Sequence, residues 1–315
     1  MAITTTGTAA SRSLAGLEAG RPRYGERVIV SILFLCAALS IVVTAAIVVA
    51  LLQPSIEFFR VVNPVEFFTG TVWSPLFSDA HFGVLPLVSA TVTITIIAAL
   101  VSLPLGLFAA IYLSEYATAR TRKLLKPTLE MLAGIPTVVY GFFALTLVTP
   151  LLQRFWPLGD PPPVVNGLSA GLVMGVMIIP TVASISEDAM SAVPQSLRAG
   201  AAALGATKFH ISTRVVVPAG LSGIIAAFVL GISRAIGETM IVLIAAGGTP
   251  NLTFNPTRAM QTMTAFIGAA GIGDQPTGSI GYKTIFAVGI TLFAMTLVMN
   301  LISIRLVRRY REVYE

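Results

Sequence analysis

This sequence predicts an all-α polytopic membrane protein with six transmembrane helices, on three observations. The 315-residue chain is 55% hydrophobic and 11% charged, with a mean hydropathy of +0.87, whereas an average soluble domain carries about 25% charged residues. Six stretches stay apolar over the ~20 residues that a helix needs to cross a hydrocarbon core. Basic residues gather on alternate connections between those stretches, as they do when one set of loops faces the cytoplasm.

The stretches run near 28–52, 84–113, 132–152, 167–186, 218–246 and 284–305. The first lacks a small-residue cleavage site and reads as an uncleaved anchor, not a signal peptide. Pro104, Pro136 and Pro180 fall within or near the ends of spans, where neighbouring helices can satisfy the freed backbone groups. Of the 20 basic residues, Arg12, Arg21, Arg23, Arg27, Arg120, Arg122, Lys123, Lys126, Arg198, Lys208, Arg214, Arg305, Arg308, Arg309 and Arg311 share one side. Arg60, Arg154, Arg258 and Lys283 take the other. The positive-inside rule then puts both termini in the cytoplasm and requires an even number of spans. The net charge of +6 and the pI of 9.8 follow from these loops and imply no nucleic-acid site. Cys36 is the single cysteine, which excludes an intrachain disulfide.

Residues 1–23, rich in Thr, Ser, Ala and Gly, read as a disordered cytoplasmic tail. Residues 24–83 hold the first transmembrane helix and an outer loop, 84–310 the helical core with a cytoplasmic loop at 187–217, and 311–315 a C-terminal tail. The last outer loop is long enough for a short helix around 256–268. No repeat of fixed period is present.

Within the fifth stretch, "SRAIGETM" places Arg234 and Glu238 among apolar residues. A charge at a helix centre costs about 2.5–3.5 kcal/mol to insert, so the pair is not there for stability. Four residues apart on a continuous helix, the two side chains share one face about 6 Å apart along the axis, a face that also carries Ala227 and Gly231. Small residues there admit a second helix or a permeating solute. One reading is a salt bridge that ties helices together. The other is a substrate pathway, with Ser233, Gly231 and Thr239 beside it. In that pathway the Arg234 fork would bind a phosphate-like or carboxylate oxyanion, and Glu238 would neutralise it when empty.

The loop between the fourth and fifth stretches has its own pattern. Pro194 opens a short Ala-rich helix reaching Leu204, Gly205 takes the C-terminal cap, and Thr207 caps a second helix through Phe209, Ile211 and Val215 until Pro218 starts the next span. Its smooth face, Ala199 to Ala203, suits a protein groove better than lipid. His81 and His210 fall on opposite sides of the membrane and form no zinc site. Met174, Met177, Met240, Met260 and Met263 read as packing residues, not metal ligands. No phosphate-binding G-x-x-x-x-G-K-[ST] occurs, since Gly205 is followed by Ala-Thr-Lys, so this chain holds no cofactor and hydrolyses no ATP itself.

"RAGAAALGATKFHISTRVVVPAGLSGI" resembles the coupling loop of binding-protein-dependent ABC importer permeases, the pattern falling on Ala199, Gly200, Ala201, Leu204, Gly205 and Pro218. Ala199 stands where that family often has Glu. "YLSEYA" at 112–117, "LEMLAGIPTVVYGFFAL" at 129–145 and "SRAIGETMIVLIAAG" at 233–247 resemble the phosphate importer's permeases, and "GETMIV" is more like the PstC-type chain than its PstA-type partner. The resemblance covers about 84–310 and implies a type I ABC-importer permease fold in the bacterial inner membrane, surrounded by lipid. It also implies a homologous second permease, an extracytoplasmic phosphate-binding protein, and two cytoplasmic ATPase subunits that bind ATP and Mg and dock on the coupling loop. Its R-A-x-G-E motif falls on Arg234 and Glu238. Three alternatives stay open: the paired permease, an importer of sulfate or molybdate, and a self-sufficient secondary transporter with Glu238 as proton carrier. The last would usually show inverted repeats, which are not found.

Overall fold

The computed structural model describes residues 24–309 except 76, 78 and 158, so the tails expected at 1–23 and 311–315 lie outside the described residues. Apart from an isolated bridge between Trp73 and Phe82, the regular structure among the described residues is helical. The elements are α1 (Tyr24–Phe59), α2 (Pro64–Thr69), α3 (Leu85–Tyr116), α4 (Ala119–Ala133), α5 (Thr137–Arg154) and α6 (Gly167–Ser191). They are followed by α7 (Gln195–Ala203), α8 (Lys208–Ala219), α9 (Leu221–Ile236), α10 (Met240–Ala245), α11 (Met263–Ile272) and α12 (Ile280–Arg309). Single π-helical turns interrupt α3 at Tyr112–Tyr116, α5 at Ala144–Val148 and α8 at Ser212–Val216. The chain divides into two units, residues 1–50, which contribute the N-terminal part of α1, and residues 51–315.

Five helices, α1, α3, α5, α6 and α12, are long and apolar enough to span a membrane, and α8 with α9, bent by 72° at their junction, meets the same test as a pair, giving up to six. The span expected at 218–246 is thus not one continuous helix. Pro218 sits exposed in the last turn of α8 instead of opening the span, and the bend falls at Gly220. A proline without its N–H beside a glycine is a sufficient cause for such a kink. A second interruption at 237–239 separates α9 from α10.

The core of the second unit is the seam between α3 and α6. Gly171 and Gly175 of α6 lie against Ile97 and Val101 of α3, and a Cβ at Gly175 would fall 2.7 Å from the Val101 Cβ. Small residues let the two backbones approach, which drives helix association where lipid offers no hydrophobic advantage. Met174, Met177 and Ile178 fill the space around the seam, and the buried methionines pack as expected. Helix α9 joins through Gly231, where a Cβ would meet Val182 at 3.0 Å and Ile178 at 3.1 Å.

Towards the other end of the seam from α4, aromatic rings form a second core. Phe58 meets Phe67 and Phe82 edge-to-face at 5.6 and 5.5 Å, and Trp73 meets Phe266 of α11 at 4.9 Å. Such pairs each add about 0.5–1.5 kcal/mol beyond their buried area. The connection from α10 to α11 folds back on the start of α6, with Leu168 N donating to Pro256 O at 2.7 Å and Gly167 N to Arg258 O at 3.1 Å. Those turn bonds occupy the chain at 256–258, so α11 begins at Met263 behind a Thr262 cap and not at the expected 256.

Helix α4 occupies what the sequence presented as a basic loop, and it is amphipathic in an inverted sense. Leu124 and Met131 are 70% and 69% exposed, while Arg122 and Lys126 turn inward to α6. Lipid is the solvent that suits an outward leucine face.

Candidate substrate pathway and coupling loop

Helix α9 ends at Ile236, two residues past Arg234, because Gly237 takes the C-cap and the next two residues leave helical pairing. Glu238 is buried, and its Oε1 accepts hydrogen bonds from the backbone N–H of Met240 at 3.0 Å and Ile241 at 3.2 Å. A carboxylate so placed satisfies the orphan donors of α10. Thr264 of α11 donates to the Glu238 carbonyl at 2.6 Å, tying the break to the outer helix. The expectation that Arg234 and Glu238 share one helix face is therefore corrected: the chain breaks between them, and the carboxylate serves the backbone.

Arg234 is left half-buried, and among the described residues no carboxylate pairs with it. Tyr140 of α5 lies within its electrostatic reach. The other expected pathway residues divide. Gly231 faces α6 and serves close helix packing, Ser233 donates to Asn300 Oδ1 of α12 at 3.4 Å, and Thr239 donates to the Gly237 carbonyl at 3.4 Å. Beside Arg234 on α9, Ser233 therefore reaches α12 and Gly231 reaches α6.

At the opposite limb of α9 the charges are paired. Glu187, fully buried at 0% exposure near the end of α6, accepts from Arg122, from Lys126 at 2.7 Å and from Ser191 at 2.8 Å. Lys126 also pairs with Asp188 at 2.5 Å. Burial disfavours the Lys126 ammonium, but the hydrogen bonds it donates to Asp188 and Glu187 outweigh that cost and raise its pKa above the ordinary lysine value. A cleft of about 740 Å³ opens beside this hub, lined by Arg122, Lys123, Lys126 and Glu130. Its inward cations are already neutralised by α6. Sequence reading ended the fourth span at 186, but α6 continues to Ser191, which makes Glu187 and Ser191 neighbours one turn apart. The signal that would have found the hub is the matching four-residue spacing of Arg122 and Lys126.

The loop from α7 to α8 forms as the sequence leads one to expect. Gly205 has φ +80°, Gly205 N donates to Ala202 O at 2.9 Å and Ala206 N to Ala201 O at 3.1 Å, the paired bonds of a Schellman cap. Thr207 accepts from His210 N and caps α8. Ala199, Gly200, Leu204 and Gly205 are exposed, Ala201 is half-buried, and Leu204 is 91% exposed. Phe209 adds a second outward apolar side chain.

Residues 102–312 match the family model described as the inner membrane component of binding-protein-dependent transport systems. The chain is 39% identical over 276 residues to the probable ABC transporter permease protein YqgH of Bacillus subtilis strain 168, covering 87% of this chain and 86% of that one. It is 33% identical over 283 residues to the phosphate transport system permease protein PstC 1 of Mycobacterium tuberculosis, covering 78% and 82%. Among solved structures, a chain of a bacterial alginate ABC transporter, in complex with its periplasmic protein, superimposes with a TM-score of 0.61 at 17% identity over 91% of this chain and 98% of that one. A chain of the inward-facing methionine transporter gives 0.52 at 18% identity over 73% and 95%. The fold is that of type I ABC-importer permeases, and the chain belongs to the family of inner membrane components of binding-protein-dependent transport systems, as a multi-pass transport subunit of an ABC-type importer.

Proposed function

We propose that this chain is the PstC-type permease subunit of an ATP-driven importer of inorganic phosphate. The observation that carries the reading is Arg234, a guanidinium held in the bundle without a carboxylate partner among the described residues. An always-charged planar fork in a low-dielectric setting favours a tetrahedral oxyanion. Relatives named as phosphate permeases, including the probable PstC of Methanocaldococcus jannaschii at 31% identity, support the substrate.

In this mechanism an extracytoplasmic binding protein delivers phosphate to the face formed by α11 and the outer loops. Arg234 offers a transient site between α5, α9 and α12, and a homologous permease completes the pathway. ATP and Mg bind to two ATPase subunits that dock on α7 and the Gly205 turn at the cytoplasmic side, where both termini also lie. Glu238 holds the start of α10 so that the Arg234 turn keeps its place. Each step on this chain is binding or positioning, and no bond of the substrate is made or broken.

The test is uptake of labelled inorganic phosphate by the complex in proteoliposomes. Uptake that requires ATP and the loaded binding protein, and that excess sulfate or molybdate leaves unchanged, is the expected result. Competition by either anion would reassign the substrate. Anion movement by this chain alone without ATP would overturn the importer reading.

A further inference from the structure

The π-helical turn that ends α3 has no place in the pathway or in the docking surface, yet both limbs of the coupling loop grip it. From α7, Arg198 sends Nε and Nη2 to Glu115 Oε1 at 3.2 and 3.0 Å. The same guanidinium donates to the carbonyls of Met190, at 2.7 Å, and Val193 at the end of α6. From α8, the Lys208 ammonium lies 5.1 Å from the centre of the Tyr116 ring. Arg198 is the single charged residue of α7, and it points inward, with the Arg198 and Glu115 side chains only 14% and 7% exposed.

We infer that Tyr112–Tyr116 is the receiver through which the coupling loop moves the bundle, with Glu115 and Arg198 as its positioning pair. This rests on the importer reading above. A loop joined to the bundle only by its ends would dissipate a push from outside in its own flexing. Here the push on α7 passes through a rigid fork with four donor contacts, which lose less entropy per bond than a lysine's would. It enters α3 at a turn already widened by the i+5 bond from Ala117 N to Tyr112 O, 2.8 Å long, and single π turns in α-helices are frequent at functional sites. Helix α3 then carries the motion along its seam with α6 to Leu103, whose Cδ2 stands 4.0 Å from the position of a Cβ on Gly231. Gly231 is one turn from Arg234. The chain of contacts therefore joins the docking loop to the unpaired guanidinium without passing through the bend at Gly220.

The experiment uses the whole complex in proteoliposomes, carrying Arg198→Lys, Glu115→Gln or Tyr116→Leu in this chain. Three quantities are read: ATP hydrolysis without binding protein, inorganic phosphate imported per ATP, and hydrogen exchange at 112–117 before and after ATP addition. Arg198→Lys and Glu115→Gln complexes should retain their ATPase subunits and melt as wild type does. Basal hydrolysis should stay near wild type while phosphate per ATP falls by about ten-fold, the scale of one lost charge-assisted hydrogen bond. Tyr116→Leu should fall by about two-fold. ATP should change exchange at 112–117 in wild type and not in Arg198→Lys, and the exchanged pair Glu115→Arg with Arg198→Glu should restore part of the lost ratio. A wild-type ratio together with an intact exchange response in Arg198→Lys and Glu115→Gln overturns the receiver. So does loss of the ATPase subunits or of the fold in both, which would make the pair an assembly device. Should the wild-type complex import no phosphate, the substrate assignment fails, while the exchange response to ATP still decides the receiver.

Discussion

The break between α9 and α10 and the charged end of the α3–α6 seam use ionisable residues in opposite ways. At the seam's end, Glu187 meets Arg122 and Lys126, Glu115 meets Arg198, and each contact ties one helix to another. At the break, Glu238 bonds to the backbone N–H groups of Met240 and Ile241, and Arg234 is left without a carboxylate. The difference shows that a carboxylate four residues from a guanidinium can be bound to backbone N–H groups instead of pairing with it. The nearest carboxylate in sequence is committed to a helix terminus, where its charge is stabilised by the helix dipole and cannot follow the guanidinium. Paired charges fix helices, and under the proposed function the unpaired one receives substrate.

The largest expected effect comes from removing the unpaired charge. Arg234→Gln should lower phosphate uptake by about two orders of magnitude, the worth of charge-assisted bonds to an oxyanion. The complex should assemble normally, because no ion pair among the described residues is broken. Uptake and co-purification of the subunits measure this together, and near-normal uptake would end the distinction between the two regions.

The six-span plan, the α7–Gly205–α8 loop and Arg234 itself were legible in the sequence because each rests on local signals: apolar length, turn chemistry, and a charge among apolar neighbours. The Gly205 cap followed from one glycine after an Ala-rich helix, and Thr207 from a hydroxyl ahead of the next. The Arg234–Glu238 relation is not legible there, because four-residue spacing implies a shared face only if the helix continues, and it stops at Ile236. Whether a carboxylate bonds to a guanidinium or to the following N–H groups is decided by tertiary contacts such as Thr264 against the Glu238 carbonyl. The Glu187 hub and the Glu115–Arg198 pair join residues more than sixty positions apart; the four-residue spacing of Arg122 and Lys126 marks one side of the hub, but no local pattern specifies the distant partner.

Breaking the paired region should cost stability before transport. Glu187→Ala removes the buried carboxylate shared by Arg122 and Lys126, leaving Lys126 with Asp188 and Arg122 with the Ser191 hydroxyl. Loss of one partner of a buried pair costs about 3–5 kcal/mol, reduced towards about 2 kcal/mol because Arg122 stays 40% exposed and partly solvated. Thermal unfolding of the purified chain in detergent should show a clear drop in Tm. An unchanged Tm would mean that the hub contributes no more than surface charges do.

Gly205→Val probes the docking loop with a smaller local penalty. At φ +80° a β-branched residue costs about 1–2 kcal/mol, enough to unwind the turn between α7 and α8 while the spans remain packed. ATPase subunits should be released or uncoupled, as measured by co-purification and by uptake per ATP. Full retention of both would make the turn a passive connector.

Glu238→Gln carries the smallest expected effect and separates the two regions most sharply. Were Glu238 the counter-ion of Arg234, removing its charge would alter anion affinity nearly as strongly as Arg234→Gln. As the cap of α10 it needs only an oxygen that accepts from Met240 and Ile241, and glutamine keeps one. The remaining loss is the interaction of a full charge with the helix terminus, about 0.3–1 kcal/mol, so uptake should fall by no more than a few-fold and its half-saturating phosphate concentration should hold. Glu238→Ala, which removes the acceptor altogether, should cost about 1 kcal/mol of stability and lower uptake further. The order alanine below glutamine below wild type identifies a cap, whereas equal loss in both variants identifies a charge partner.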